Sequence, residues 1–430
     1  MNGRSAKIYV ASMCGAADRA IPELGGLTPL EFAATPNLDA VASRGAQSLI
    51  EVIGEGICPE SDSGAMALLS YDPLAYYTGR GPLEGLGTGF LTLGGNAVSF
   101  RVNFASYDAA RERLDRRTAR DLSEAELVAL ADEVRANVSL AEFPGVTFDL
   151  LAFRRHRGIV SFASDARALS GNVSNTDPGF RKVGAFGVPV AGFEPRPQPC
   201  VPLDDSAAAA STAAVVERFV TESRRVLDGS AVNAARVARG LLPANLLLVR
   251  DGGAPPVALP AFAAKFARSL SFYGQIPAEK GLMQLVGGAF QYCWIGADQP
   301  EREYLERLAD AMLRDPADVV FVHLKGADEP GHDGLPRDKV RALEAIDRHA
   351  IGPLLAGLRE DDLLVATSDH ATPCALKIHA PDRVPTAVCG RGVAADSTRR
   401  FGERDAAHGA LPLARAVDLL PYAVRVLEAS

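Results

Sequence analysis

Three short apolar runs constrain this chain more than any other feature: KIYVASM from Lys7, ADVVFVHLKG from Ala317 and DDLLVATSDH from Asp361. Each reads as a strand buried on both faces, the kind found in parallel sheets. VPTAVCG, from Val384, is a further strand of the same kind. Helical patterns lie between them. Thr35-Pro36 followed by NLDAVASRG has a capping residue, a proline at the first helical position and Gly45 just past the end. Residues 337–358 carry Val340, Leu343, Ile346, Leu354 and Leu355 at near-helical spacing. Alternating strands and helices predict an α/β fold with a mainly parallel sheet and helices on both faces.

At 430 residues the chain has room for two or three domains. The middle differs from the ends. FRVNF, a charged stretch at 111–135, GIVSFAS and PANLLLVR form a second α/β pattern, and DDSAAAASTAAVVERFV reads as a low-complexity linker running into a helix. The expectation is a core of residues 1–84 and 286–430, interrupted by a smaller domain at 85–285.

Apolar residues at 47% and charged residues at 23% exclude a disordered chain. The formal charge is −8 and the basic residues are dispersed, so nucleic acid and membrane surfaces are not expected partners. Six cysteines without a CxxC pair do not make a disulfide framework. MNGRSAKIYVASMCG lacks the apolar stretch of a signal peptide, and no run approaches the ~18 residues of a membrane span. These features predict a chain of the reducing cytoplasm.

The chemistry concentrates in one pattern. Asp328-Glu-Pro-Gly-His332, Asp369-His370 and His379 supply carboxylates and imidazoles, and both aspartates follow predicted strands. Ligands of open α/β sheets bind beyond the carboxyl ends of strands. Pro330-Gly331 argues against a helical turn between Asp328 and His332, so both are expected on a loop. The donor set suits Mn, Zn, Fe or Mg. Five groups suggest two metals, an arrangement that clamps the attacking and leaving oxygens of phosphoryl transfer. PESDSGAMALL reads as a loop opening a helix. There Ser61 is either a nucleophile beside amides that bind phosphate or, like Asp62, simply a helix cap. Arginines are dense in the middle (Arg80, Arg101, Arg116, Arg117, Arg120, Arg236, Arg250), and arginine suits bidentate phosphate and carboxylate recognition.

The order of these motifs resembles cofactor-independent phosphoglycerate mutase of the archaeal type, in the alkaline phosphatase superfamily. GGLTPLEFAATPNLDAVASRG, PESDSGAMALLSYDPLAYYTGRGPLEGLGTG, NTDPGF, AEKGLMQLVGG, HLKGADEPGHDG and TSDHATPCALKIHAPDRVP occur in family order, and the likeness runs from about residue 8 to 425. The resemblance implies an alkaline phosphatase-like core with an inserted substrate-binding domain, whose closure keeps out water. It implies that Ser61 becomes phosphoserine and that Asp328, His332 and His379 hold one divalent ion. Asp369 and His370, with Ser61, would hold a second. Lys280 would hold the transferred phosphoryl group, and Arg101, Arg116, Arg117 and Arg120 the substrate, a small phosphorylated carboxylic acid. The sequence departs from the family at Cys14, where the family has a metal-binding aspartate, at Glu60 in place of glycine, and at Ala65 in place of histidine. A thiolate ligand favours zinc over manganese or magnesium, so Cys14 predicts a second site that is weakened or zinc-selective. The same departures fit a paralogue acting on a phosphonate in specialised metabolism. A catalytically dead binding protein fits less well, since Ser61, Lys280 and the other metal ligands are retained.

Overall fold

The computed structural model describes residues 6–93, 97–116, 118–153, 155–254, 257, 259–295 and 299–429. The chain divides into two compact units: Met1–Tyr76 with Leu259–Ser430, and Tyr77–Ala258. These bounds differ at both ends from the 85–285 expected of an insert. Residues 80–88 form a helix within the second unit. The strand Leu270–Gly274 belongs to the first unit because it pairs with Val319–Leu324 and Ala289–Tyr292.

The first unit is built on a seven-stranded sheet. Its order is Ala289–Tyr292, Leu270–Gly274, Val319–Leu324, Ile8–Met13, Leu363–Thr367, Val384–Gly390 and Ala46–Ile50. The first five are parallel neighbours. Val384–Gly390 pairs antiparallel with both flanking strands, so it alone reverses direction in a mainly parallel sheet. Ile8–Met13 is fully buried, consistent with its unbroken apolar sequence. Tyr9, Ala11 and Met13 join one core with Leu38, Val41, Leu305, Leu308, Leu343, Ile346 and Leu354 from helices. The helix expected at 337–358 is present as Pro336–Ile346, a π-helical turn at Asp347–Ile351 and a last turn at Gly352–Gly357.

The second unit holds a five-stranded antiparallel sheet centred on Ala97–Asp108, which pairs with Arg157–Ser164, Leu246–Gly253 and Arg113–Asp115. Helices Glu124–Asn137 and Ala207–Asp228 cover it through Leu130, Val134, Val216 and Phe219, which meet Phe100, Phe104 and Phe162. The alanine run expected as a linker is instead the start of the second helix. The Ser206 side chain accepts from Ala209 N at 3.1 Å, and alanine then propagates the helix. Among the described residues no helix is long and apolar enough to cross a membrane.

Candidate active site

Three adjacent parallel strands deliver the chemistry of the first unit. Ile8–Met13 lies between Val319–Leu324 and Leu363–Thr367, with Ser12 in register with His323 and Thr367. Their carboxyl ends therefore place Cys14, Lys325 and Asp369 side by side, and Cys14 N donates to Leu324 O at 2.9 Å. Gly15 follows with φ +63°, and a Cβ there would meet Thr372 Oγ1 at 2.6 Å and Asp328 Oδ1 at 2.7 Å. Glycine is what allows the strand ends to crowd.

The Asp328-His332 segment is a helix, Asp328–Asp333, not the loop expected from its proline and glycine. Pro330 falls in the first turn, where its missing N–H has no intrahelical acceptor to lose. Asp328 and His332 consequently share a face at i, i+4. Ser61 is the first residue of helix Ser61–Leu68, and the capping position belongs to Glu60 rather than to Ser61 or Asp62. Glu60 N donates to Ser63 Oγ at 3.0 Å.

Asp328, His370 and His379 present ligand atoms within 4.8 Å of one another. His332 joins them: its Nε2 is 3.1 Å from His379 Nε2, and both nitrogens are 3.5 Å from Asp328 Oδ1. His379 Nδ1 donates to Pro59 O and His332 Nδ1 to Lys377 O, each at 3.0 Å. The Thr372 hydroxyl donates to Asp328 at 2.7 Å and accepts from His370 Nδ1 at 3.1 Å. With each Nδ1–H so engaged, the Nε2 atoms of His332 and His379 are left facing the Asp328 carboxylate. Burial pushes His370 down to about 3, so it is a neutral imidazole. Burial also opposes charge on His379, but Asp328 outweighs it and pushes that ring up. This set fits a divalent ion.

Cys14, Asp369 and His370 form a second group of donor atoms within 4.8 Å. Ser61 Oγ is 3.5 Å from Cys14 Sγ, and His370 Nε2 is 3.7 Å from it. Asp369 is already engaged: Gly15 N donates to Oδ1 at 3.0 Å, and His323 Nε2 to Oδ2 at 2.8 Å. His323 Nδ1 is 2.5 Å from Glu279 Oε1. Burial and Lys325 oppose a charge on His323, yet Asp369, Cys14 and Glu279 hold it well above the usual imidazole range. Burial, and then the Asp369 anion, push the Cys14 thiol up. Lys325 Nζ lies 3.1 Å from both Cys14 Sγ and Ser61 Oγ. The Lys325 ammonium thus stands against a second donor set whose three atoms are otherwise close enough to share a divalent ion.

The lysine on Ser61 is therefore Lys325. Lys280 neighbours Glu279 on helix Pro277–Val286, and its ammonium lies 5.8 Å from the ring centre of Tyr292. Sequence reasoning missed Lys325, His323, Glu279 and Thr372. The signal for two of them was a histidine inside an apolar strand, with Lys325 two residues on and so on the same side.

The arginines lie in the second unit. Arg101 is buried on strand Ala97–Asp108, in register with Arg250 and 3.7 Å from Glu84, which also receives Arg80 at 2.9 Å. Arg116 makes a bidentate pair with Asp177 at 2.5 and 2.7 Å and lies over Phe180 and Phe193. Arg120 is exposed on the 3-10 turn Thr118–Asp121, and Arg117 lies outside the described residues. Arg236 is fully buried against Asp121 and Glu126, an internal tie.

A sequence profile described as 2,3-bisphosphoglycerate-independent phosphoglycerate mutase matches residues 42–233. Proteins of that name from Aeropyrum pernix and Methanoculleus marisnigri are each 36% identical to the chain. The first alignment covers 89% of this chain and 91% of the relative, the second 99% and 98%. Among solved structures, a protein of Pyrococcus horikoshii superposes with TM-score 0.77 at 28% identity, over 100% of this chain and 99% of that one. A cofactor-independent phosphoglycerate mutase from Thermoplasma acidophilum gives TM-score 0.59 at 27% identity, over 98% and 100%.

Proposed function

The chain belongs to the 2,3-bisphosphoglycerate-independent phosphoglycerate mutase family of isomerases, and on that premise we propose that it converts 3-phosphoglycerate to 2-phosphoglycerate through a phosphoserine at Ser61. In the first half-reaction the Ser61 Oγ–P bond forms as the substrate O–P bond breaks, and the proton lost from Oγ ends on the departing hydroxyl. The second half-reaction runs in reverse onto the neighbouring hydroxyl, so no outside reactant is consumed. Asp328, His370 and His379, with His332, would hold a manganese, zinc or magnesium ion. Such an ion draws charge from phosphoryl oxygens when bound. Lys280 and the arginines Arg101, Arg116, Arg117 and Arg120 are assigned to the phosphoryl and carboxylate groups of the substrate.

The observation that carries this reading is the buried Ser61 hydroxyl beside a lysine and a convergent imidazole–carboxylate set. Phosphorus NMR with 3-phosphoglycerate tests it. The metal-loaded protein should yield 2-phosphoglycerate, and acid-quenched samples should carry phosphate on Ser61. Ser61→Ala should lose turnover by ~10⁴-fold or more while keeping its metal content. Full activity in that variant rules out the phosphoserine route. Cys14 beside the nucleophile favours a second reading, a paralogue acting on a phosphonate or another small phosphorylated acid in specialised metabolism. Turnover confined to such compounds, in the same assay run over a panel, selects it.

A further inference from the structure

We propose that the Lys325 ammonium, rather than a second divalent ion, supplies the positive charge at Ser61 and Cys14. The inference rests on the reading of Ser61 as nucleophile and extends it to a centre of one metal and one lysine. Backbone register fixes the placement. Cys14 N donates to Leu324 O, so the residue after Leu324 must emerge beside Cys14. Lys325 uses that position fully. Its Nζ is 3.1 Å from Cys14 Sγ, 3.1 Å from Ser61 Oγ and 3.7 Å from Glu279 Oε1.

Geometry separates the two donor sets. Beside Ser61 an ammonium already stands among the donor atoms, and His323 bridges the carboxylates Asp369 and Glu279. Around Asp328 three imidazoles gather on one carboxylate. Distance gives the same answer. A zinc ion at the usual ~2.3 Å from Cys14 Sγ would lie within about 5.4 Å of the Lys325 ammonium, in a buried site where like charges repel strongly. Asp369, the carboxylate such an ion would need, already accepts from Gly15 and His323.

The lysine gives up no proton in this role. It donates to Oγ before transfer, and its charge faces the bridging oxygen once Oγ carries the phosphoryl group. An ordinary ammonium suffices for that. Removing one such donor at a site of developing charge costs about 10²-fold in kcat or more.

Cobalt loading of the whole protein tests the proposal, because cobalt bound to sulfur shows a thiolate charge-transfer absorption. Wild type should bind one cobalt per chain without that band. Lys325→Arg should do the same. Lys325→Met should take up a second cobalt and gain the band, with kcat for phosphoglycerate falling about 100-fold. Two cobalt ions or a thiolate band in wild type overturns the proposal, as does a Lys325→Met protein that still binds one ion without the band. The wild-type measurement decides the matter even if Lys325→Met does not fold. A wild type with one cobalt, no band and no turnover of phosphoglycerate overturns the mutase reading and leaves the lysine assignment standing.

Discussion

His332 and His379 turn the same nitrogen toward the same carboxylate, but their surroundings differ. His379 is mostly shielded, stacks on His370 with ring centres 3.9 Å apart and is tied to Pro59, whereas a third of the His332 side chain faces solvent. A ligand on a fixed, desolvated ring contributes more to affinity than one that water can replace. His379→Ala should therefore remove nearly all bound manganese or zinc after dialysis, and His332→Ala should weaken binding by about 10–100-fold, read by elemental analysis. Glu403 offers a test away from the reaction. Burial pushes its carboxyl up to about 7, against hydrogen bonds from Thr28 Oγ1 and Asp18 N. A folded-state pKa above the unfolded value gives stability that is full below about pH 4.5 and lost as pH rises through 7. Glu403→Gln carries no charge, so its Tm relative to wild type should rise between pH 5 and pH 8.

Among the elements, the helix Ser61–Leu68 is held close to the Asp369 loop by Gly64. A Cβ there would stand 2.4 Å from Asp369 O. Gly64→Ala must push the helix away and should cost about 1–3 kcal/mol, with kcat falling more than KM rises, because Ser61 moves with its helix. Much of this layer was legible in the sequence. The apolar runs marked the central strands, and the aspartates and histidines that follow them marked the ends where ligands collect. What misled was local chemistry read without its position. Pro330 looked like a helix breaker, but a proline in the first turn breaks nothing. The alanine run looked like a linker, but Ser206 caps it into a helix. Lys325 was passed over because strand order is not written in sequence. Only once Val319–Leu324 lies against Ile8–Met13 does that lysine meet Cys14 and Ser61.

On the scale of the whole molecule, each unit owns its core. The second unit closes Phe100, Phe162 and Phe219 into edge-to-face clusters, with ring centres 5.3–6.0 Å apart, between its own sheet and helices. Its 77–258 segment expressed alone should give one cooperative melting transition by circular dichroism, as single domains of this size usually do. A chain that melts without cooperativity would show that it depends on the flanking unit. The first unit is different, because its central strand Ile8–Met13 is flanked by strands from the far end of the chain, and Ile8 lies opposite Val319 and Leu363. On a ribosome adding about 5–20 residues per second, that apolar strand waits roughly 15–60 s for its first neighbour. The second unit has long since left the exit tunnel by then. The buried strand at the centre of this sheet is thus among the first segments made yet must stand unpaired through most of synthesis, the kind of exposed apolar stretch that chaperones shelter.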